Sequence, residues 1–138
     1  LDIARGVARG MAYLHDRKVV HRDLKPGNVM LSKVPQYFPK VCDFSESRQY
    51  DKEYETMTVA GTPSFVAPEV LRQERSGPGS DVWSFGLTIV ECALGHFPYE
   101  RFQGYWGILQ AVLNEPSPSP EPAALTPAAS EVAELELW

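Results

Sequence analysis

The chain has 138 residues, of which 43% are hydrophobic and 22% charged, a balance typical of a globular domain and not of a disordered segment. Its 13 basic and 18 acidic residues give a formal net charge of −5, so no basic excess favours a nucleic acid or an anionic membrane as partner. No apolar run approaches the ~20 residues of a membrane-spanning helix, and two cysteines make neither a disulfide framework nor a zinc site. We therefore expect a protein of a reducing compartment, the cytoplasm, without a nucleic acid or membrane partner.

The first half of the chain predicts one helix and several short strands. A helix is expected over residues 1–17, because apolar residues recur there at spacings of three and four: Ile3, Val7, Met11 and Leu14. Short β-branched or apolar runs predict strands at 19–20, at 29–31 and around 40–42. Residues 45–60 show neither the helical nor the strand periodicity of apolar residues and are interpreted as a long surface loop.

The second half is predicted to be helical. A strong helix is expected from Ser80, with Ser80 or Asp81 as its cap and Gly95 at its end. A further helix is predicted at about Tyr105–Asn114, and Ser130–Leu137 has the pattern of the start of one more. Between these two, prolines break regular structure: Pro116, Pro118, Pro120 and Pro122. The predicted fold class is therefore mainly α with few strands.

The most informative stretch is His21-Arg22-Asp23-Leu24-Lys25-Pro26-Gly27-Asn28, between two short strands. It offers a carboxylate and an amide five residues apart with a cation between them, and the acidic motif Asp43-Phe44-Ser45 follows. Asn and Asp oxygens are hard ligands suited to Mg²⁺, which keeps phosphate oxygens as partners. A carboxylate beside such a phosphate can accept a proton from an attacking hydroxyl, and a lysine can neutralise the transferred group. The pattern predicts half of a phosphoryl-transfer site.

These motifs resemble the active-site motifs of Ser/Thr protein kinases. The stretch 21–28 matches the family's catalytic loop at every defining position, including the Lys25 that Ser/Thr kinases carry. The other matches follow in the family's order and spacing: Asp43-Phe44-Ser45 where Asp-Phe-Gly belongs, Ala67-Pro68-Glu69 for Ala-Pro-Glu, and Asp81-Val82-Trp83-Ser84-Phe85-Gly86 for the next core helix. The resemblance covers about residues 1–115.

The resemblance also predicts the domain organisation. The Gly-rich loop, the strand lysine with its helix glutamate and the adenine-covering lobe of the family have no counterpart in this sequence. We therefore expect residues 1–115 to be the helical C-lobe of a kinase domain, with a few short strands around the catalytic loop and the N-lobe absent. Residues 116–138 are a Pro/Glu-rich end in which the start of a further C-lobe helix is expected. The fragment alone is expected to be inactive.

Roles follow residue by residue from the resemblance. It implies that Asp23 is the base toward the substrate hydroxyl and that Lys25 contacts the γ-phosphate of ATP. Asn28 and Asp43 would hold Mg²⁺ and, with Lys25, bind the nucleotide. Thr62, in Gly61-Thr62, resembles the threonine that bonds to the catalytic Asp and Lys and shapes the substrate loop.

Regulation is also implied by the resemblance. Arg22 beside the catalytic Asp is the family's sign of control by activation-loop phosphorylation, which requires an upstream activating kinase. Thr58, four residues before Thr62, is the favoured acceptor, with Thr56 second among five candidates: Ser47, Tyr50, Tyr54, Thr56 and Thr58. Asp81 resembles the helix aspartate that accepts hydrogen bonds from the backbone of the catalytic loop.

A finer resemblance, to the mitogen-activated protein kinase kinases, lies downstream. It rests on Gly95-His96-Phe97-Pro98-Tyr99, on residues 108–112 and 115–116, and on Cys42 before the aspartate. It implies a MAP kinase as the protein substrate, modified on Thr and Tyr. The predicted function is thus a Ser/Thr or dual-specificity protein kinase that transfers the γ-phosphate of ATP to a protein hydroxyl.

Two positions depart from the family pattern. Ser45 replaces the glycine of Asp-Phe-Gly, and its Cβ restricts backbone freedom, so we expect slower switching between states or an altered placement of Asp43. No arginine follows Arg101 to pair with Glu69, which suggests that the C-terminal end is cut short or altered.

Two alternatives remain open. A non-catalytic pseudokinase or scaffold lobe that binds a partner kinase is favoured by Ser45 and by the missing lobe, but the motif residues Asp23, Lys25, Asn28 and Asp43 argue against it. A small-molecule phosphotransferase of related fold is disfavoured by Ala67-Pro68-Glu69 and Gly61-Thr62, which serve a protein substrate.

Overall fold

The computed structural model describes residues 2–33, 37–51, 55–56 and 60–118. Its helices are α1 (Asp2–Asp16), α2 (Pro68–Leu71), α3 (Pro78–Leu94) and α4 (Gly104–Asn114). Its strands are β1 (Val19–Val20), β2 (Val29–Ser32), β3 (Phe38–Val41), β4 (Arg48–Gln49), β5 (Glu55–Thr56) and β6 (Arg75–Ser76). They form three antiparallel pairs, β1 with β4, β2 with β3 and β5 with β6. The prediction of a mainly helical fold with a few short strands is confirmed. The predicted helix at Ser130–Leu137 lies outside the described residues.

The segment predicted as a long loop, 45–60, is not wholly irregular. It contains β4 and β5, and the register of β4 places Val19 opposite Gln49 and Val20 opposite Arg48. Strands of two residues are too short to show an alternating pattern, so periodicity could not detect them. The pairing brings Arg48 beside the strand that leads into the catalytic loop.

Helix α3 begins two residues earlier than predicted. Pro78 occupies the first turn behind Gly77, where a missing N–H costs nothing and the fixed φ suits a helix. Ser80 and Asp81 therefore lie inside the first turn, and neither is the cap. Gly95 ends the helix as predicted, with φ at 76° and its N–H donated to the Glu91 carbonyl at 2.8 Å.

Two of the apolar clusters organise the helices, and one of them includes Leu24 of the catalytic loop. Val7 and Met11 of α1 pack with Leu24, while α1 lies directly on the β2–β3 hairpin, where a Cβ at Gly6 would overlap the ring of Pro39. The second cluster joins α3, α4 and the segment before α2: Phe65, Leu87, Tyr99, Ala111 and Val112. Burial of Leu24 against α1 anchors the catalytic loop to that helix. No helix in the part of the chain that the structure describes is long and apolar enough to cross a membrane.

Candidate functional site

A buried aspartate on α3 fixes the backbone of the catalytic loop. Asp81 is only 1% exposed, and its Oδ2 accepts a hydrogen bond from the His21 N–H at 2.8 Å while Oδ1 accepts one from the Arg22 N–H at 2.8 Å. The Nε2 of His15 lies 2.8 Å from Oδ2. The predicted role of Asp81 is confirmed, and the contact with His15, which no motif indicated, links α1 to α3. These bonds hold Arg22 in the left-handed region, with φ at 71°.

His21 connects the catalytic loop to the acidic motif that follows β3. It is fully buried, its Nε2 lies 3.1 Å from the Cys42 carbonyl oxygen, and its Nδ1 accepts the Asp23 N–H at 3.3 Å. Its ring meets the ring of Phe44 edge to face, with the ring centroids 5.1 Å apart. Both ring nitrogens are thus engaged by the protein, so His21 is a structural residue here and not an acid or base for a substrate.

The carboxylate of Asp23 is the centre of the candidate site. Its Oδ1 accepts hydrogen bonds from the N–H of Thr62 at 2.6 Å and from the Thr62 hydroxyl at 2.7 Å. Its Oδ2 accepts from Lys25 Nζ and from Asn28 Nδ2, both at 2.9 Å. Lys25 Nζ also lies 2.5 Å from Thr62 Oγ1. Residues 39 positions apart are therefore brought together in one network, with the contacts that the family resemblance implied for Thr62.

These contacts keep Asp23 ionised. Burial alone raises the pKa of its carboxyl, but hydrogen bonds from Lys25 and Thr62 outweigh burial and lower that pKa below its usual range. An anionic Asp23 accepts a hydrogen bond readily but is a weak base. This suits phosphoryl transfer, in which little proton transfer precedes a loose transition state and orienting the hydroxyl matters most.

Gly61 explains how the substrate loop approaches the catalytic loop so closely. Its φ is 89°, and a Cβ at this position would overlap the main-chain oxygen of Arg22 and approach Asp23 Oδ1 to 3.3 Å. Only a glycine satisfies both the positive φ and the contact. The close approach delivers the N–H and the hydroxyl of Thr62 to Asp23.

Asp43 has a different environment. Its side chain is exposed, its φ is 61°, and its Oδ1 accepts hydrogen bonds from the Ser45 hydroxyl at 2.7 Å and from the Ser45 N–H at 3.3 Å. These bonds lower the pKa of the Asp43 carboxyl, and the charges of Asp23 and Lys25 also act on it. Ser45 itself is not among the described residues with positive φ. Ser45 therefore contributes a hydrogen bond to Asp43 without a left-handed backbone, and slower switching between states stays a prediction.

The donor set fits Mg²⁺ held jointly with a polyphosphate. Asn28 donates from its amide nitrogen to the main-chain oxygen and Oδ2 of Asp23, at 2.7 and 2.9 Å, and these bonds do not use its amide oxygen, which can ligate a cation. Asp43 adds a carboxylate within the field of Asp23 and Lys25. No group of three His, Cys, Asp or Glu side chains suited to a metal occurs among the described residues. A few protein oxygens without a nitrogen or sulfur cage are the arrangement that Mg²⁺·nucleotide sites use.

A second cation lies beside Arg22. Burial lowers the pKa of the Arg22 guanidinium, and the charge of Arg48 on β4 lowers it further, while Glu46 and Asp81 oppose that effect. Sequence reasoning missed Arg48, because only the β1–β4 pairing brings it close; a basic residue shortly after the acidic motif is the one signal that could have indicated it. Two neighbouring guanidinium groups suit an anion such as a phosphate.

The structure narrows the candidate phosphorylation sites. Tyr50 is 4% exposed and its hydroxyl donates to the His15 carbonyl at 3.3 Å, and the Ser47 hydroxyl donates to the His21 carbonyl at 3.2 Å. Both are engaged by the fold, and Tyr50 is not accessible to a kinase. Thr56 lies on β5, where its backbone pairs with Arg75. Thr58 and Tyr54 lie outside the described residues.

The glutamate of Ala67-Pro68-Glu69 has a partner that was not predicted. Its Oε1 accepts a hydrogen bond from the Ser80 hydroxyl at 2.9 Å, which ties α2 to the first turn of α3. The hydroxyl is a neutral donor to one oxygen of this carboxylate. Ser80, expected as a helix cap, instead serves this link.

Comparison with known families places the chain. Residues 2–131 match the family described as "Protein kinase domain". The chain therefore belongs to the protein kinase family, in agreement with its mainly helical fold and with the network around Asp23.

Its relatives are kinases of the MAP kinase cascades. The chain is 37% identical over 122 residues to mitogen-activated protein kinase kinase kinase 13 of Mus musculus, covering 86% of this chain and 12% of that protein. It is 46% identical over 96 residues to the MAP kinase kinase MKK1/SSP32 of Saccharomyces cerevisiae, covering 70% and 18%. It is 41% identical over 97 residues to a mitogen-activated protein kinase kinase of Aspergillus fumigatus, covering 70% and 19%. The predicted similarity to MAP kinase kinases is confirmed, and the chain spans less than a fifth of the length of each relative.

Proposed function

We propose that the protein containing this chain is a Ser/Thr or dual-specificity protein kinase that transfers the γ-phosphate of Mg²⁺·ATP to a protein hydroxyl. The observation that carries the proposal is the shared contact of Lys25 and Thr62 with Asp23. It brings a carboxylate acceptor, a cation and the substrate loop to one point, which is what transfer to a protein hydroxyl requires.

Asp23 orients the attacking hydroxyl in this proposal. Its two oxygens accept four hydrogen bonds, which matches the capacity of a carboxylate, so a substrate hydroxyl must displace a donor. Thr62 is the donor to be displaced, because it lies on the loop that the substrate contacts. Its hydroxyl oxygen can still accept the hydrogen bond from Lys25 after the bond to Asp23 is broken. The proton of the substrate hydroxyl then goes to Asp23 Oδ1 as its oxygen bonds to phosphorus and the bond to the leaving ADP breaks.

Lys25, Asn28 and Asp43 serve the nucleotide. Lys25, whose Nζ is bonded to Asp23, donates a hydrogen bond to the γ-phosphate and offsets negative charge on the transferred group. Asn28 and Asp43 would hold Mg²⁺, which when bound neutralises the phosphate oxygens. The protein's own contribution is to fix these oxygens: Asn28 through its two bonds to Asp23, and Asp43 through Ser45.

The substrate and regulation follow from the relatives and from the cation pair. Relatives named as MAP kinase kinases support a MAP kinase, modified on Thr and Tyr, as the protein substrate. An upstream kinase would phosphorylate the activation segment, at Thr58 first and at Thr56 second. Arg22 and Arg48 would pair with that phosphate and so order the segment. We place this cascade in the cytoplasm.

The test is Asp23→Asn in the full-length protein. Because the amide keeps the shape but is a neutral, weaker acceptor that cannot take up the proton, transfer of labelled phosphate should fall by about 10²–10⁴-fold. Asp2→Asn is the matched control, since Asp2 is exposed and pairs only loosely with Arg5 at 3.7 Å. Circular dichroism checks that both variants fold. Transfer by folded Asp23→Asn at the control's rate would contradict the proposal.

A scaffold lobe is the second candidate, and Ser45 is the residue that favours it. Such a protein would bind a partner kinase equally well before and after the Asp23→Asn substitution, because no phosphate moves. The same preparations decide between the two: partner binding without transfer by the unsubstituted protein supports the scaffold, and transfer that depends on Asp23 supports the kinase.

A further inference from the structure

We propose that Ser45 is a positioning residue whose hydroxyl holds the Asp43 carboxylate for metal binding. The inference rests on the function proposed above, because it assigns Asp43 to the Mg²⁺ that accompanies ATP. It deepens that function by giving a role to the residue at which this chain departs from the Asp-Phe-Gly pattern.

The hydroxyl supplies the shorter of the two bonds that hold Asp43. Ser45 Oγ donates to Oδ1 at 2.7 Å, whereas the Ser45 N–H reaches the same oxygen at 3.3 Å. A glycine would leave only the longer bond. Within the described ranges, Asp43 has no side-chain hydrogen-bond partner other than Ser45, so its orientation depends on this residue.

The bonding leaves the other carboxylate oxygen for a cation. Both bonds converge on Oδ1, so Oδ2 can ligate while Oδ1 is held. His21 of the catalytic loop contacts both chain neighbours of Asp43, the Cys42 carbonyl oxygen at 3.1 Å and the Phe44 ring, so Asp43 lies beside the catalytic loop. An exposed aspartate without the hydroxyl would sample other rotamers, and ordering it would then oppose metal binding.

The backbone conformation is compatible with this role. Positive φ in the motif falls on Asp43, at 61°, and not on Ser45. A Cβ at position 45 therefore carries no left-handed strain in this state, and it removes conformations that a glycine would allow. Serine thus favours the loop state in which Asp43 is held.

The experiment measures the binding of Mn²⁺, a paramagnetic substitute for Mg²⁺, to the full-length protein with a non-hydrolysable ATP analogue, by electron paramagnetic resonance. Ser45→Ala should weaken Mn²⁺ binding by about threefold to tenfold, the loss of one hydrogen bond to a charged acceptor at an exposed position. Ser45→Gly should weaken it at least as much, and Ser45→Thr should restore it to within about twofold. Ser47→Ala is the matched control, because its hydroxyl donates to the His21 carbonyl and not to Asp43.

A kinetic readout separates positioning from a general structural role. If Ser45 positions the metal ligand, Ser45→Ala should raise the Mg²⁺ concentration needed for half-maximal transfer, and saturating Mg²⁺ should restore kcat. A fall in kcat at every Mg²⁺ concentration, with Mn²⁺ affinity unchanged, would overturn the proposal.

Asp43→Asn separates failure of the inference from failure of the proposed function. It should weaken Mn²⁺ binding more than Ser45→Ala does. If Asp43→Asn weakens binding while Ser45→Ala binds as the unsubstituted protein does, Ser45 is not a positioning residue and the kinase function stands. If Asp43→Asn binds Mn²⁺ normally, the metal role of Asp43 in the proposed function is wrong, and the inference falls with it.

Discussion

The two aspartates of the candidate site are held in contrasting ways. Asp23 is buried and accepts four hydrogen bonds, two of them from Thr62, 39 positions along the chain. Asp43 is exposed and is held by Ser45, two residues away. The first is fixed both by its own loop, through Lys25 and Asn28, and by the tertiary contact with Thr62, whereas the second is held by a near neighbour in the chain.

The difference indicates which parts of the site depend on the fold. The surroundings of Asp23 are built from α3, the catalytic loop and the substrate loop, so any change that separates these elements should disturb it. The bond between Asp43 and Ser45 needs only a local turn, so it should survive such changes.

Asp81→Ala should be the substitution that most strongly disturbs the surroundings of Asp23, which depend on the fold. It leaves the N–H groups of His21 and Arg22 without their buried acceptor, and it removes the contact with His15. Breaking such a buried charged network costs about 3–5 kcal/mol in the free energy of unfolding, measured by urea denaturation. Asp16→Ala, at an exposed helix end, is the control and should change stability by less than about 0.5 kcal/mol.

The contrast between the aspartates predicts what Asp81→Ala should not do. Amide hydrogen exchange should accelerate at residues 21–23, while exchange of the Ser45 amide should stay nearly as it was. Equal acceleration at residues 21–23 and at Ser45 would show that the turn holding Asp43 depends on the fold as much as the catalytic loop does.

Gly61→Ala tests the contact between the two loops. The new methyl group must adopt φ near 89° and would overlap the Arg22 carbonyl oxygen, so we expect a loss of about 2–4 kcal/mol from strain and overpacking together. Gly104→Ala is a matched control, because its φ is 69° but no atom lies within 4 Å of the new Cβ. Strain alone should cost it about 1–2 kcal/mol. Equal losses in thermal or urea unfolding would show that the loops do not touch as described.

The pH dependence of stability should distinguish the two carboxyls. The pKa of Asp23 is lowered in the folded protein by hydrogen bonds from Lys25, two residues away, and from Thr62, which only the fold brings near. Ionised Asp23 therefore stabilises the fold above its ordinary titration range, and this contribution is lost as the pH falls through the lower, folded value. The pKa of Asp43 is lowered by a local bond that an unfolded chain can also form, so it should contribute little.

The measurement compares urea unfolding of Asp23→Asn, Asp43→Asn and the unsubstituted protein between pH 7 and pH 3. The stability advantage over Asp23→Asn should be constant near neutrality and should shrink below about pH 5, whereas the Asp43→Asn profile should run parallel to that of the unsubstituted protein. The expected pH-dependent change in the free energy of unfolding is smaller than the loss predicted for Asp81→Ala or for Gly61→Ala. A flattened profile for Asp43→Asn would mean that its bond to Ser45 is made only in the folded state.

The sequence predicted the part of the site that lies within two short, continuous segments. The catalytic loop at 21–28 and the acidic motif at 43–45 are short strings whose spacing alone indicates the chemistry. The contacts of Thr62 and Asp81 were predicted from a family resemblance. No local pattern could have given them, because they join positions 39 and about 60 residues apart.

What the sequence did not predict depends on tertiary approach. The place of Arg48 beside Arg22 follows from a two-residue strand pair, and the need for glycine at position 61 follows from the distance between two loops. The early start of α3 escapes a search for apolar periodicity, because Pro78 suits a first helical turn without adding to the apolar face. The bond from Ser45 to Asp43 was also not predicted, but it does not depend on tertiary approach. An aspartate followed two residues later by a serine favours a local turn, so the sequence carried a signal for it.

The smallest effect, of opposite sign, is expected from Gly86→Ala on α3, the helix that carries Asp81. Gly86 lies in the middle of the helix, and no atom lies within 4 Å of the position that its Cβ would occupy. Alanine should therefore raise the free energy of unfolding by about 0.5–1 kcal/mol through helix propensity alone. A stiffer α3 should also slow amide exchange at His21 and Arg22, whose N–H groups are bonded to Asp81, without changing exchange at Ser45. A more stable protein with unchanged exchange at those two residues would show that α3 does not control the order of the catalytic loop.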